Sequence, residues 1–300
     1  RNTASRAPTS AAPTQAASMW WELPFARLKF KNPLLERELR GKFRMRAVPT
    51  LVLAVESLLA LAVAYFYLRA VFWALFDPGT RETIWWVISF IGLIVLLVAV
   101  PVMGAGAFTR ERESETFEGL FLSLLSNREI VIAKIGAPLL AGALYATPLL
   151  PLLALCVRTW DYDTNSSNFG ISVTQAIGTI LVLGASSYSS GALGMLISWY
   201  CRRTSAAIGW TLGAMFLLFA VAPLFWSLAS FSAEDTLWLF HPVFALFTVS
   251  SPGTSRDLLA GNDPLVAALL FSLLHYALGC LLLVILQHAM LRRARETSRR

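Results

Sequence analysis

The sequence predicts an all-α membrane protein, and three observations lead to that fold class. Hydrophobic residues make up 56% of the chain and charged residues only 14%, whereas about a quarter of the residues in a soluble domain are charged. The mean hydropathy is correspondingly high, at +0.62. The apolar runs are long and continuous, without the alternating segments of about ten residues that build membrane β-barrels. Helices, which satisfy their own backbone hydrogen bonds in lipid, are therefore expected to span the membrane.

Six runs between residues 48 and 291 are long enough to cross a bilayer as helices. They cover residues 48–76, 84–108, 130–157, 171–200, 205–229 and 265–291. Pro138, Pro148 and Pro151 indicate that the third span is bent. A further apolar run, 237–249, is too short to span the membrane. We expect it to be a re-entrant or interfacial segment before the sixth span.

Two segments precede the first span. Residues 1–18 are small and polar, without acids or an apolar core, and predict a disordered N-terminal extension rather than a secretory signal. Residues 19–47 predict a cytoplasmic or interfacial amphipathic helix, because Asn32 is a good N-cap before Pro33. Its basic face, with Glu38 and Lys42 at i,i+4, suits a membrane surface. An ordinary soluble helix is the alternative.

The distribution of positive charge predicts the orientation. Of the 25 Lys and Arg residues, one side of the predicted spans carries Arg69, Arg81, Arg158 and Arg256. All others precede the first span, belong to the segment 110–134 around the loop between spans 2 and 3, lie between spans 4 and 5, or belong to the basic tail 292–300. The positive-inside rule therefore places both termini and the segment between spans 2 and 3 in the cytoplasm. The expected location is a bacterial cytoplasmic (inner) membrane.

Small residues at helical spacing predict close contacts between spans. Gly104 and Gly106 follow Pro101 near the end of the second span, and Ser190, Gly194 and Ser198 recur every four residues in the fourth. Such spacing lets helix backbones approach each other, and a proline can also bend the helix.

The most informative segment, residues 110–134, lies between spans 2 and 3. It opens with a charged cluster that must lie in water or among headgroups. Apolar residues at i, i+3, i+4, i+7 and i+8 then predict a short amphipathic helix from Phe117 to Leu125. Ser126 and Glu129 have the spacing of a capping box, which predicts that the next helix begins near Asn127.

This segment resembles the cytoplasmic coupling segment of ABC-2 type transporter permeases. That family has a Glu/Arg cluster, Thr-hydrophobic-Glu, a Leu-rich turn, Ser-x-Arg-Glu-Ile and a Lys. The matching residues are Glu111, Arg112, Glu113, Thr116, Glu118, Leu120, Ser126, Arg128, Glu129, Ile130 and Lys134. Glu115 and Ala133 stand where the family often has Gly, and Leu124 where it often has Pro. These departures bear on the local turn geometry. The whole layout, from Asn32 to Arg295, is similar to the ABC-2 permease fold.

The resemblance implies the transmembrane permease subunit of an exporter, working as a dimer with a second copy or a paralogue. A separate ABC ATPase subunit would bind ATP-Mg and drive it, so this chain would bind no cofactor. The residues implied in ATPase coupling are Glu111, Arg112, Glu113, Thr116, Phe117, Glu118, Leu120, Phe121, Leu124, Arg128 and Glu129. On this basis, replacing Phe117 or Glu118 by Ala is expected to leave folding intact and to abolish ATPase stimulation.

Other chemistry has little support in the sequence. There is no G-x-x-x-x-G-K-[ST] loop, no H-E-x-x-H and no G-x-S-x-G, so neither nucleotide binding nor hydrolysis by this chain is expected. Cys156, Cys201 and Cys280 are too scattered for a metal site or a disulfide framework. The basic residues flank apolar runs instead of forming a stripe with aromatics, so membrane lipids and not nucleic acid are the expected partners.

Two intramembrane charges leave alternatives open. Glu56 lies well inside the first span and is a possible pathway residue, although a structural partner for Arg46, Lys42 or Arg110 is the other reading. Lys134 is expected to extend to the headgroups.

The alternative functions are an ATP-independent secondary transporter or channel that uses Glu56, and a membrane scaffold or biogenesis factor. Lipids, drugs and glycans all fit as cargo.

Overall fold

A computed structural model describes residues 32–43, 50–121, 125–157, 170–221, 224, 240–250 and 263–298. The side chains of 40–56, 78, 120–121 and 294–298 lie outside the description. Several predictions therefore concern undescribed parts of the chain: the extension 1–18, the side chains of Glu56, Leu120 and Phe121, and residue Leu124.

The described residues form helices and contain no strand beyond one isolated bridge between Val157 and Ile171. In chain order the helices are α1 (Pro33–Phe43), α2 (Thr50–Phe76), α3 (Arg81–Ala105), α4 (Thr109–Glu113), α5 (Phe117–Phe121), α6 (Asn127–Ala146), α7 (Leu149–Cys156), α8 (Val173–Tyr200), α9 (Thr204–Phe216), α10 (Pro242–Ser250) and α11 (Pro264–Ser298). A 3₁₀ turn, Pro78–Thr80, follows α2, and a π-helical turn, Leu217–Val221, continues α9.

Among the residues that the structure describes, six helical stretches are long and apolar enough to cross a membrane, as predicted. They are Ser57–Phe76, Arg81–Glu113, Asn127–Ala146, Val173–Tyr200, Thr204–Val221 and Pro264–Arg293. The chain is therefore an integral membrane protein by the length and composition of its helices. The bend predicted in the third span is a break, because α6 ends at Ala146 and α7 begins at Leu149. Pro148, which cannot donate a helical hydrogen bond, lies at this break.

Helices α3 and α8 pack closely at the centre of the bundle, through the small residues that the sequence singled out. A Cβ atom added to Gly104 would lie 2.8 Å from the carbonyl oxygen of Gly191. A Cβ added to Gly194 would overlap the carbonyl oxygen of Pro101. The backbones of the two helices touch here, which only residues without a Cβ permit.

The buried side chains form three clusters that succeed one another along the bundle. One contains Ala74, Trp85 and Leu153, and a second contains Leu96, Leu246 and Phe271. The third brings together residues of α1, α5, α6, α8 and α11, among them Leu34, Phe117, Ile130, Trp199 and Met290. We call the end of the bundle that holds the third cluster the hairpin end.

The apolar run before the sixth span contains a short helix, α10, of nine residues. It packs against α3, α8 and α11. His241 precedes it and accepts a hydrogen bond from the backbone N–H of Val243 at 3.2 Å. The other ring nitrogen of His241 lies 2.9 Å from the carbonyl oxygen of Phe219. The helix is too short to span a bilayer, and its re-entrant or interfacial placement stays a prediction.

Candidate functional site

A buried ionic network joins three elements at the hairpin end. Lys134 of α6 is only 2% exposed. Its Nζ lies 2.6 Å from a carboxylate oxygen of Glu38 in α1 and 2.7 Å from one of Glu111 in α4. Arg37 donates to the same Glu111 oxygen at 2.9 Å. The expectation that Lys134 extends to the headgroups is therefore wrong, because two carboxylates hold its ammonium group inside the protein.

The network also changes the interpretation of α1. Glu38 binds Lys134, which lies 96 residues further along the chain. The pair that the sequence suggested between Glu38 and Lys42 stays a prediction, because the side chain of Lys42 lies outside the described residues. The N-terminus of α1 is fixed as well, since the Asn32 side chain accepts from the N–H of Leu34 and donates to the carbonyl of Glu129, both at 3.0 Å. Asn32 is thus the N-cap that the sequence predicted. Helix α1 contacts the segment of α6 twice, through Asn32 with Glu129 and through Glu38 with Lys134.

The turn after α4 has an unusual backbone conformation. The N–H of Thr116 donates to the carbonyl of Glu111 at 2.9 Å, and the N–H of Glu115 donates to that of Arg112 at 3.3 Å. These two bonds define a Schellman motif, which needs a left-handed residue after the helix. Glu115 occupies that position with φ of 58°. It is the position where the ABC-2 family often has Gly, so the departure places an ordinary side chain in a conformation that favours glycine.

The first residue of α5, Phe117, faces this chain's own bundle. Phe117 is only 8% exposed, and its ring centroid lies 5.9 Å from that of Trp199 in α8. The guanidinium of Arg112 stacks over both rings, at 4.7 Å from Phe117 and 5.3 Å from Trp199. Phe117 therefore packs inside the bundle, and the expectation that its replacement leaves folding intact stays a prediction. The contact buries a residue that the sequence analysis had assigned to coupling with a partner.

The helix predicted from Phe117 to Leu125 does not include Leu125, which lies outside any helix. Helix α5 is described from Phe117 to Phe121, and residues 122–124 lie outside the description. Leu125 is still partly buried and packs against the third cluster. The capping box is confirmed: Ser126 Oγ accepts from the N–H of Glu129 at 3.3 Å, and Glu129 accepts from the N–H of Ser126 at 2.8 Å. Helix α6 begins at Asn127, as predicted.

Glu113 connects the segment to the fifth span. Its carboxylate accepts from the backbone N–H of Thr204 at 2.7 Å and from the Thr204 hydroxyl at 2.8 Å. Thr204 is the first residue of α9, whose initial amides have no partner within the helix. A negative charge also interacts favourably with a helix N-terminus. Glu113 is thus a cap supplied from about ninety residues earlier in the chain, which no local motif could have shown.

The outer side of the segment between α4 and α6 remains open to solvent. Thr116, Glu118, Gly119, Arg128 and Glu129 are exposed. Beside them a cleft of about 500 Å³ opens between this segment and α1. The residues that line it are Pro33, Leu34, Arg37, Glu111, Glu115, Thr116, Gly119 and Leu125. We call it the hairpin cleft.

The predicted site residues therefore separate into two groups. Glu111, Arg112, Glu113 and Phe117 hold the segment to its own bundle, whereas Glu118 and Arg128 face outward. Sequence reasoning missed the bundle residues that receive them, which are Arg37, Glu38, Trp199, Thr204 and Arg293. The sequence did contain a signal for the contact of Glu38 with Lys134, because Lys134 is a single charge at the start of an apolar run.

Comparisons with known proteins do not identify the chain. No protein-family model matches the sequence, and no curated protein matches it. Among the described residues, no group of three or more His, Cys, Asp or Glu side chains is placed to hold a metal ion.

Proposed function

We propose that this chain is the membrane-spanning subunit of an ABC-2 type exporter and that the segment Thr109–Asn127 transmits the motion of a separate ATPase. The observation that carries the proposal is that one short, water-exposed segment is bonded directly to several spans. Glu111 binds Lys134 of the third span, and Glu113 caps the fifth. Arg112 stacks on Trp199 of the fourth.

These contacts make the segment suitable for transmitting force. A displacement of α4, which carries Glu111 and Glu113, would move or break the ion pair at Lys134 and the cap at Thr204, and both are short, charge-assisted bonds. In the proposed cycle, closure of the ATPase on nucleotide shifts the segment and thereby tilts the second and third spans. The substrate pathway would then open outward between two permease copies.

The exposed residues suggest how the ATPase subunit would bind. Glu118 projects into solvent from α5, and Glu115 lines the hairpin cleft beside it. Charges of opposite sign across an interface speed association and fix its register. The partner surface is therefore expected to carry a basic residue opposite Glu118.

The test is to co-express the chain with a P-loop ATPase encoded beside it and to measure both co-purification and ATP hydrolysis in lipid nanodiscs. Glu118→Arg is expected to abolish the stimulated hydrolysis, because it replaces the outward-facing charge by its opposite. Glu82→Arg is the matched control, since Glu82 is an exposed carboxylate in the first turn of α3, away from the hairpin end.

Three results would count against the proposal. Glu118→Arg and Glu82→Arg could lower hydrolysis equally, no P-loop ATPase could co-purify with the chain, or transport could proceed without ATP in liposomes that hold the chain alone. The last result would favour the secondary transporter or channel.

A further inference from the structure

His241 connects the end of the fifth span to α10 through both nitrogens of its ring. The residue is buried, with only 6% of its surface exposed. Its Nδ1 atom accepts a hydrogen bond from the backbone N–H of Val243, in the first turn of α10, at 3.2 Å. Its Nε2 atom lies 2.9 Å from the carbonyl oxygen of Phe219. The two bonds thus hold together two elements that meet at the connection between the fifth and sixth spans.

These two partners determine the protonation state of the ring. An amide N–H can only donate, so Nδ1 must be free of a proton in order to accept from Val243. A carbonyl oxygen can only accept, so Nε2 must carry the proton that bonds to Phe219. His241 is therefore held as the neutral Nε2–H tautomer, and both ring nitrogens are occupied.

The backbone on both sides of the ring is arranged to bind it. Phe219 lies in the π-helical turn Leu217–Val221, where the hydrogen-bond register of the helix changes, and such turns recur at functional sites. Val243 belongs to the first turn of α10, whose initial amides have no partner within the helix. The rings of Phe219 and Phe244 meet the imidazole edge-on, with centroids 5.7 and 5.1 Å away. The imidazole thus caps α10, and the two phenyl rings limit its rotation.

A second proton on the ring would break this arrangement. With a proton on Nδ1, two N–H groups would face each other between His241 and Val243, and the capping bond would be lost. The positive ring would also lie at the N-terminus of α10, where the helix dipole disfavours a cation. Burial acts in the same direction, because it lowers the pKa of His241 below its ordinary value, and the hydrogen bond to Phe219 opposes this only in part.

Few charged groups surround α10 in the part of the chain that the structure describes. The described residues of α8, α9 and α10 include no Asp, Glu, Lys, Arg or His. Helix α3 contributes Glu82, which is exposed, and Arg81, which donates to a carbonyl of α2 at 2.8 Å. Asp263, just before α11, is exposed as well. The buried titratable neighbour is His275 of α11, which would add positive and not negative charge beside His241 if it were protonated.

We propose that His241 is a proton-sensitive latch, which holds α10 to the end of the fifth span when the ring is neutral and releases it when the ring is protonated. A released ring takes up a proton near the ordinary histidine pKa of about 6.5, whereas the latched ring resists protonation. The latch therefore contributes its full stability above about pH 6.5, and this contribution falls as the pH drops below that value. The inference depends on the fold and not on the proposed transport function.

The predicted orientation gives the latch a definite stimulus. The connection between the fifth and sixth spans lies on the side of the membrane opposite to both termini, according to the positive-inside rule. On that orientation, His241 would respond to the pH outside the cytoplasm.

Hydrogen–deuterium exchange of the purified full chain in lipid nanodiscs tests the latch. Exchange of a peptide that covers α10 is measured at about pH 8 and about pH 5, on either side of the ordinary histidine pKa. Each rate is divided by the rate of an unstructured peptide at the same pH, which gives a protection factor. In the wild type, the protection of α10 should fall about fivefold at the lower pH, which corresponds to the loss of a helix cap worth about 1 kcal/mol. A peptide from the middle of α3 should keep its protection.

Two variants assign the effect to one ring. His241→Asn removes the titration but keeps a cap, since asparagine is among the best N-cap residues. Its α10 is expected to have the same protection at both pH values. His288→Asn is the matched control, because His288 is exposed and its ring lies 3.0 Å from a carbonyl of its own helix. It should show the same fivefold loss as the wild type, about one cap's worth.

Two results would overturn the latch. Equal protection of α10 at both pH values in the wild type would show that protonation does not release it. This result is read from the wild type alone, so it does not depend on how well a variant folds. A full loss at low pH that persists in His241→Asn would assign the effect to another titratable group, of which His275 is the next to replace.

Discussion

Replacing Lys134 by Met tests whether the buried ionic network holds the hairpin end together. Methionine has a similar length but no charge, so the change leaves the carboxylates of Glu38 and Glu111 without the ammonium group that lies 2.6 and 2.7 Å from them. Removing one member of a buried ion pair costs about 3–5 kcal/mol. Arg37 remains near Glu111, but its side chain is 65% exposed and compensates poorly. We expect a loss of stability near the middle of that range.

The assay is reversible unfolding in mixed micelles, followed by circular dichroism. Arg128→Met is the control, because Arg128 lies in the first turn of the same helix but is exposed, and such changes rarely exceed about 0.5 kcal/mol. The double variant Glu111→Gln, Lys134→Met should recover part of the loss. Equal stabilities for Lys134→Met and Arg128→Met would refute the idea that this network stabilises the fold.

Two further substitutions test backbone features, by the same unfolding measurement. Gly194→Ala should lower stability by about 1–3 kcal/mol, because the new methyl group meets the carbonyl of Pro101. Gly209→Ala is its control, since nothing lies within 4 Å of a Cβ there and a helical alanine should be neutral or stabilising. Glu115→Gly should raise stability by about 1 kcal/mol, because glycine adopts the left-handed conformation without strain. A loss of stability in Glu115→Gly would show that contacts of the Glu115 side chain stabilise the turn by more than its left-handed backbone conformation costs.

The sequence predicted those parts of the fold that depend on residues close together in the chain. Lipid requires long apolar helices, so the length of each apolar run was enough to locate the six candidate spans. The capping box at Ser126 and Glu129 depends on residues three apart, and the N-cap at Asn32 on residues two apart. Small residues such as Gly194 predicted that the spans of α3 and α8 take part in close helix contacts, although not that these two helices contact each other.

The contacts that the sequence did not predict join residues far apart in the chain. Glu38 binds Lys134, 96 residues further along the chain, and a buried ammonium group needs a carboxylate partner far more than an exposed one does. Phe117 is the first residue of the apolar stripe that the sequence predicted. Periodicity shows that a face is apolar but cannot show whether that face meets a partner or the chain's own bundle.

The inward orientation of Phe117 changes what a partner could bind at the hairpin end. An exposed Phe117 would have offered an anchor residue of the kind that carries most of the energy in many interfaces. With Phe117 buried, a partner meets Glu118, Gly119 and the hairpin cleft instead. Exposed charges of this kind contribute little affinity each, about 1 kcal/mol or less. Stable docking of the proposed ATPase therefore needs a second contact, and α1, which lines the same cleft through Pro33 and Arg37, is the adjoining surface that could supply it.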